Sequence, residues 1–292
     1  MAPITRFGRS VSLVQNRLNT RLRRSTRWVR DRRRVRLAVP PATKIDTHVV
    51  GHGVVEIRLA AGERRNVLGR STISAIEEIV AHPPANTRVI VITAEPPDFC
   101  AGYDFVEASR GEPVDLIAHE ENFAVLRKSR IPIIAALQGN VIGGGLELAL
   151  SADIRIASPE VRFAVPASKI GLVYSEAGIR LVVEVLGQSL ARAMFLGGVE
   201  LGSEAALAQG VVAEIVGREQ LRERALTLAK EIVSWSDVAS SGNRQILDLV
   251  AGRVVVDAQE LHVASFARDG FLWRTITDFV SKRNTRATPP SR

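Results

Sequence analysis

The segment Gly139-Asn-Val-Ile-Gly-Gly-Gly-Leu-Glu-Leu-Ala-Leu150 joins three consecutive glycines to one carboxylate, Glu147, three residues past the middle glycine. The apolar run after the glycines reads as a helix. A helix start gathers free backbone N–H groups and the positive end of the dipole in one place. Glycines let another group approach those N–H groups closely. A carboxylate in the first turn can face the same space. Together these are parts for stabilising a developing oxyanion and moving a proton beside it.

A second segment, Phe99-Cys-Ala-Gly-Tyr-Asp104, follows the apolar run Val89–Thr93, which reads as a buried strand. It supplies another turn of small residues with an exposed N–H. The two segments resemble the crotonase (enoyl-CoA hydratase/isomerase) superfamily, whose patterns are F-[SC]-A-G-x-D and N-G-x-x-x-G-G-G-x-E-L-A. The resemblance extends through Glu63–Leu68, Arg130–Gly139, Ala152–Ala157, Arg162-Phe163, Lys169–Leu172, Gly210–Val216 and Asp278–Arg283. It covers residues 45 to 284. Family membership leaves the reaction open, because this fold hosts many chemistries.

The resemblance implies specific roles. The backbone N–H groups of Tyr103 and Gly144 would form an oxyanion hole for a thioester oxygen. The Tyr103 ring would either line the acyl pocket or pack. Glu147 would be the general acid/base. Arg64, Arg65, Ala101 and Asp104 would lie at the coenzyme A moiety, and Phe279 and Lys282 would reach a neighbouring subunit's ligand. Coenzyme A enters as part of the substrate, an acyl-CoA thioester; no separate cofactor and no metal are expected.

The chain departs from the family at its second glutamate. The pattern R-F-x-x-P-E-x-x-x-G reads here Arg162-Phe-Ala-Val-Pro-Ala-Ser-Lys-Ile-Gly171, with Ala167 at the glutamate position. Alanine can neither hold a water nor transfer a proton, so the expectation moves from ordinary hydration to an isomerase or an atypical hydratase. A 1,3-proton shift needs only one base. A decarboxylase or tailoring enzyme is the alternative, and a non-catalytic acyl-CoA-binding protein is another. Glu176, in Tyr174-Ser-Glu-Ala-Gly178, is either a substitute second carboxylate or a solvated loop residue. Tyr174 and Ser175 are further hydrogen-bond donors for the pocket.

The elements that must hold these residues alternate. Thr47 to Leu59 reads as a strand pair around Gly51 and Gly53, and Ser71 to Val80 as a helix capped by Ser71. Val89–Thr93, Ile133–Leu137 and Ile154–Ala157 read as short buried strands with helical stretches between. Ser203–Gln209, Glu219–Val233, Ser240–Leu249 and Ala258–Phe266 read as helices. This is an α/β chain, and the resemblance makes it a crotonase-type spiral of ββα units. The spiral core is expected at 45–200, a helical C-terminal trimerisation region at 201–284 and a tail at 285–292. A homotrimer or a dimer of trimers follows from the resemblance.

Composition sets the remaining bounds. The 292 residues carry +8, but residues 1–44 hold +12, so the rest carry −4. A basic body inviting nucleic acid is therefore not expected. The Arg-rich extension 1–44 reads as a disordered tail or as coding sequence upstream of the true start. Its alternatives are a basic amphipathic contact for a membrane or partner protein and an organelle transit peptide. No apolar run approaches the roughly 18 to 20 residues of a membrane span. One cysteine, Cys100, fits a reducing compartment and reads as a small buried residue. A cytoplasmic location is expected, or the mitochondrial matrix if the extension is a transit peptide.

Overall fold

A computed structural model describes residues 42–108, 123–264, 266 and 270–278. All but residues 42–44 of the expected N-terminal extension lie outside the described residues, as do Phe279, Lys282 and the tail 285–292.

The elements run in this order: strands β1 (Lys44–Gly51) and β2 (Val54–Ala60), helix α1 (Arg70–Ala81) and strand β3 (Val89–Ala94). Short helices α2 (Phe105–Ala108) and α3 (Ala124–Lys128) precede strands β4 (Ile133–Leu137) and β5 (Asn140–Ile142). Helix α4 (Gly144–Leu150) leads to β6 (Ile154–Ala157) and β7 (Arg162–Ala164). Then come helices α5 (Glu176–Leu186) and α6 (Gln188–Gly197), strand β8 (Leu201–Gly202), helix α7 (Ser203–Ala208) and strand β9 (Glu214–Ile215). Helices α8 (Arg218–Ser234), α9 (Asp237–Val250) and α10 (Ala258–Ala264) follow.

Six strands form the main sheet in the order β1-β2-β3-β4-β6-β9, and three form a smaller sheet, β5-β7-β8. β1 and β2 pair antiparallel, and the other main-sheet neighbours pair parallel. Isolated bridges, Leu68 with Tyr103 and Cys100 with Val141, carry the small-sheet side across earlier turns of the chain. The chain thus visits the large sheet and then the small one, turn after turn. That is the ββα spiral, and it stacks the loops of successive turns against each other. The main sheet runs past residue 200, where the spiral core was expected to end. Its last strand, Glu214–Ile215, is two residues long and too short to show alternation.

Strand period explains the two cores. Ile90 and Ile92 of β3, with Ile133, Ala135 and Leu137 of β4, face the spiral interior. Val89, Val91, Ile134 and Ala136 face the other way, against Leu221, Ala225, Ala229 and Ile232 of α8. Those four recur along α8 at helical spacing, so one apolar stripe covers the outer face of the sheet. Glu56 interrupts this layer. It is fully buried, and its carboxylate accepts from Arg222 Nε of α8 at 2.7 Å and from the Thr93 hydroxyl at 2.7 Å.

Two local expectations change. Ser71 is not the cap of α1: the helix starts at Arg70 behind Gly69. The carboxylate of Glu107 accepts from the Arg70 N–H at 3.1 Å instead, supplying the missing cap from a distant turn. Helix α9 starts earlier than expected, because the Ser236 hydroxyl accepts from Ala239 N–H. Its buried Arg244 fastens it to the body through Asp153 (2.9 Å) and the Leu126 carbonyl (2.9 Å), and Asp248, one turn on in the same helix, holds the guanidinium at 2.9 Å. Trp235, Val238, Leu247, Val250 and Val263 in this region remain exposed. No helix among the described residues is long and apolar enough to cross a membrane.

Candidate active site

The site forms where the Cys100–Asp104 loop meets the start of α4. Each glycine of the triplet is required for a different reason. Gly143, the N-cap, has φ 54 and ψ −115, a backbone that a side chain disfavours. A Cβ on Gly144 would stand 2.8–2.9 Å from the Tyr103 ring. A Cβ on Gly145 would meet the Cys100 carbonyl oxygen at 2.6 Å and its Cβ at 2.7 Å. The triplet therefore lets the loop lie directly on the first turn of α4. A Cβ on Gly102 would come within 3.8 Å of the Gly144 nitrogen, so the Tyr103 and Gly144 stretches are close neighbours. The N–H of Gly144, at the first helical position, has no partner within the helix.

Glu147 lies in this first turn and is only 6% exposed. The Tyr103 hydroxyl donates to its Oε1 at 3.3 Å, and the Tyr174 hydroxyl donates to the same oxygen. No described donor reaches Oε2. These are the chain's two tyrosines. Burial pushes the Glu147 carboxyl above the usual carboxylate range, while the Tyr174 and Tyr103 hydroxyls and the Arg127 charge pull against it. Burial and the adjacent Glu147 push the Tyr174 phenol well above its ordinary value, so it stays a neutral donor.

Packing sets the Tyr174 ring. It meets Phe195 of α6 edge-on, with centroids 5.1 Å apart. It also covers Gly178, where a Cβ would stand 2.7 Å from the ring. Ser175 caps α5 by accepting from Gly178 N–H at 3.1 Å. Glu176 therefore opens α5 on the solvent side. Its side chain is 84% exposed and pairs with Arg180. Of the two readings of Glu176, this placement fits the solvated residue rather than a second carboxylate, and the group beside Glu147 is the phenol two residues earlier. Ala167 is buried in the spiral core, just before the 3-10 turn Ser168–Ile170.

The residues expected at coenzyme A divide. Arg64 and Asp104 face each other at 2.6 Å and are both largely buried. Burial raises the Asp104 carboxyl, but the bonds from Arg64 and from the Glu107 and Val106 N–H groups outweigh it and hold the group below its usual value. This pair ties two loops together. Arg65 remains at the surface, with left-handed backbone (φ 56), and its Nε stands 3.3 Å from Asp98. The Ala101 N–H donates to the Arg65 carbonyl at 2.9 Å. Among the described residues no group of three His, Cys, Asp or Glu side chains could hold a metal ion. Cys100 is buried, and burial pushes its thiol up to about 12, so it packs as a small apolar residue.

Comparison with known proteins gives the family and the fold. Residues 50–279 match the family model described as enoyl-CoA hydratase/isomerase. A Mycobacterium leprae protein named "Probable enoyl-CoA hydratase echA6" is 36% identical over 169 residues, 56% of this chain and 68% of that protein. Carnitinyl-CoA dehydratase of Escherichia coli K12 is 33% identical over 163 residues, 54% of this chain and 62% of that protein. The chain thus matches less than two thirds of the dehydratase's length. Among solved structures, DspI of Pseudomonas aeruginosa aligns with a TM-score of 0.72 at 26% identity, covering 85% of this chain and 98% of that one. An enoyl-CoA hydratase of Bacillus anthracis aligns with a TM-score of 0.72 at 22% identity, covering 82% and 96%, a likeness of fold.

Proposed function

Because the chain belongs to the enoyl-CoA hydratase/isomerase family, we propose that it is an enzyme that moves a proton on an acyl-CoA thioester through an oxyanion-stabilised enolate, with Glu147 as its one catalytic carboxylate. The observation that carries this reading is the buried Glu147 standing, among the described residues, without a second carboxylate beside it. Ala167 occupies the other family position, and Glu176 faces solvent.

Chemistry follows from that inventory. Glu147 takes a proton from the carbon next to the thioester carbonyl or from the vinylogous carbon. The C–H electron pair moves into the conjugated system and onto the thioester oxygen. The N–H groups of Tyr103 and Gly144 receive that oxygen, where they stabilise the enolate more than the ground state. Glu147 then returns the proton to another carbon of the same system. The sum is a 1,3-shift of a double bond, with atoms and charge balanced and no water consumed. Isomerisation is thus favoured over ordinary hydration, in which water is held between two acids. Coenzyme A belongs to the substrate, and no separate cofactor is invoked. Arg65, exposed at the surface, is the proposed contact for a phosphate of the nucleotide. The exposed apolar side chains of α9 and α10 support a trimer, alone or stacked in pairs, and a cytoplasmic location is part of the same reading.

A second reading is a non-catalytic acyl-CoA-binding protein, favoured by the loss of the second acid at Ala167. One experiment separates the two. Saturated, 2-enoyl and 3-enoyl-CoA thioesters are incubated with the protein in D₂O and followed by mass spectrometry, wild type beside Glu147→Gln. Deuterium uptake without added water, lost in the variant, supports the isomerase. A mass gain of one water identifies a hydratase. Binding with no chemistry in either protein overturns the enzymatic reading.

A further inference from the structure

Both tyrosines converge on one carboxylate oxygen, from opposite sides of the sequence. Tyr103 comes from the loop after β3 and lies against Gly144. Tyr174 comes from the segment after the 3-10 turn and is wedged between Gly178 and Phe195. Their hydroxyls both donate to Oε1 of Glu147, and no described donor reaches Oε2. A carboxylate so held is asymmetric. One oxygen is engaged by neutral donors, and the other meets none among the described residues.

We propose that Tyr103 and Tyr174 are positioning residues that clamp Oε1 of Glu147, so that Oε2 alone exchanges protons with the substrate. This rests on the reading of Glu147 as the catalytic carboxylate and adds which atom acts and what aims it. The clamp does the orienting work that a second carboxylate would do in a paired site, but without adding a negative charge. A second buried carboxylate would repel the first. Two phenols stabilise its ionised form by hydrogen bonding alone. They cannot be replaced by lone packing groups: phenylalanine keeps the ring on Gly144 or Gly178 and removes only the donor.

Among the described residues, the titratable and charged groups acting on Glu147 are Tyr174, Tyr103 and Arg127. Arg127, on α3, donates to the Ser151 hydroxyl at 3.2 Å, and that hydroxyl donates to the Glu147 carbonyl at 2.8 Å. Its charge is the same in the tyrosine variants, so a change in the Glu147 titration on removing a phenol reports the clamp.

The test is a carbon-13 NMR titration of the full-length chain labelled at glutamate carboxyl and tyrosine Cζ. Glu147→Gln assigns the Glu147 signal by its loss. Removing a donor to a carboxylate raises its pKa, so Tyr174→Phe moves the Glu147 midpoint upward by about one to two pH units. Tyr103→Phe, which loses the longer bond, moves it upward by less. A midpoint that is unmoved or lowered in Tyr174→Phe overturns the proposal. A second reading needs no variant of either tyrosine. In the wild-type protein both Cζ signals shift with the same midpoint as Glu147, whereas two flat signals contradict the clamp. Neither reading requires turnover. Failure of the proton-transfer function shows instead as absent deuterium uptake with the titration behaving as expected.

Discussion

Glu56 and Glu147 are both buried glutamates, 0% and 6% exposed, yet their surroundings push their carboxyls in opposite directions. Glu56 lies under α8 and faces a guanidinium. Burial raises its pKa, but the bonds from Arg222 and Thr93 and the Arg222 charge outweigh burial and hold the carboxyl below its usual value. Glu147 lies at a loop junction and, among the described residues, meets two neutral phenols and the charge of Arg127. There burial wins, and its carboxyl stands above the usual range. The charge of the partner, more than the depth of burial, separates a structural carboxylate from one able to take up and release a proton.

The sharpest way to break this comparison is to remove each acid. Glu147→Gln is expected to lower the rate of any proton-transfer reaction by about 10²–10⁴-fold, the usual range for a general acid/base. Steady-state turnover on an enoyl-CoA thioester measures it, with the melting temperature as the control for folding. Gly144→Ala is expected to lower turnover by about 10²-fold, because its Cβ would stand 2.8 Å from Tyr103 Cζ and must displace the ring and loop. A crystal structure of this variant with Tyr103 unmoved would count against the tight contact.

Arg222→Met leaves Glu56 buried without its cation. It is expected to cost about 2–4 kcal/mol of stability by urea unfolding, less than a fully enclosed pair because Arg222 is half exposed. Turnover by the folded fraction should be unchanged.

The two acids should also differ in the sign of their pH dependence. The depressed Glu56 contributes stability that is present above its ordinary value of 4.5 and is lost as pH falls through its folded value. The raised Glu147 contributes stability that is present below 4.5 and is lost as pH rises through its folded value. At pH 7, therefore, Glu56→Gln should destabilise, while Glu147→Gln should be neutral or stabilising. Melting curves of both variants at pH 4 and pH 7 decide it, and equal signs at pH 7 would end the comparison. The smallest effect concerns Cys100: with its thiol pushed up to about 12 by burial, it should resist disulfide-exchange reagents at pH 8 until the protein unfolds.

Much of this was legible in the residues. The glycine triplet and Glu147 marked the junction before any fold was known, because helix-start chemistry is local. Strands β3, β4 and β6 and helix α8 were readable from apolar runs and helical spacing. What escaped were bonds between distant segments. Ser71 looked like a cap, but the helix starts one residue earlier and Glu107, 37 residues beyond Arg70, caps it. Glu176 looked like a second acid because the turn of α5 that carries it outward depends on Ser175 capping that helix. Arg64 and Asp104 looked like ligand contacts, and nothing local shows that they satisfy each other. Glu56 left one trace: a lone acid between apolar neighbours in β2, whose buried face should have raised the question of its partner. The convergence of both tyrosines on Oε1 had a weaker trace, in that Tyr103 lies inside one family motif and Tyr174 just after another.

The most direct measurement of the central claim is the exchange of α-protons of a bound acyl-CoA thioester into D₂O, with occupancy checked by calorimetry for wild type and Glu147→Gln. The account predicts that both proteins bind the thioester, that wild type exchanges deuterium, and that the variant does so about 10²–10⁴-fold more slowly. Equal exchange by both proteins, or binding by wild type with no exchange at all, would contradict it.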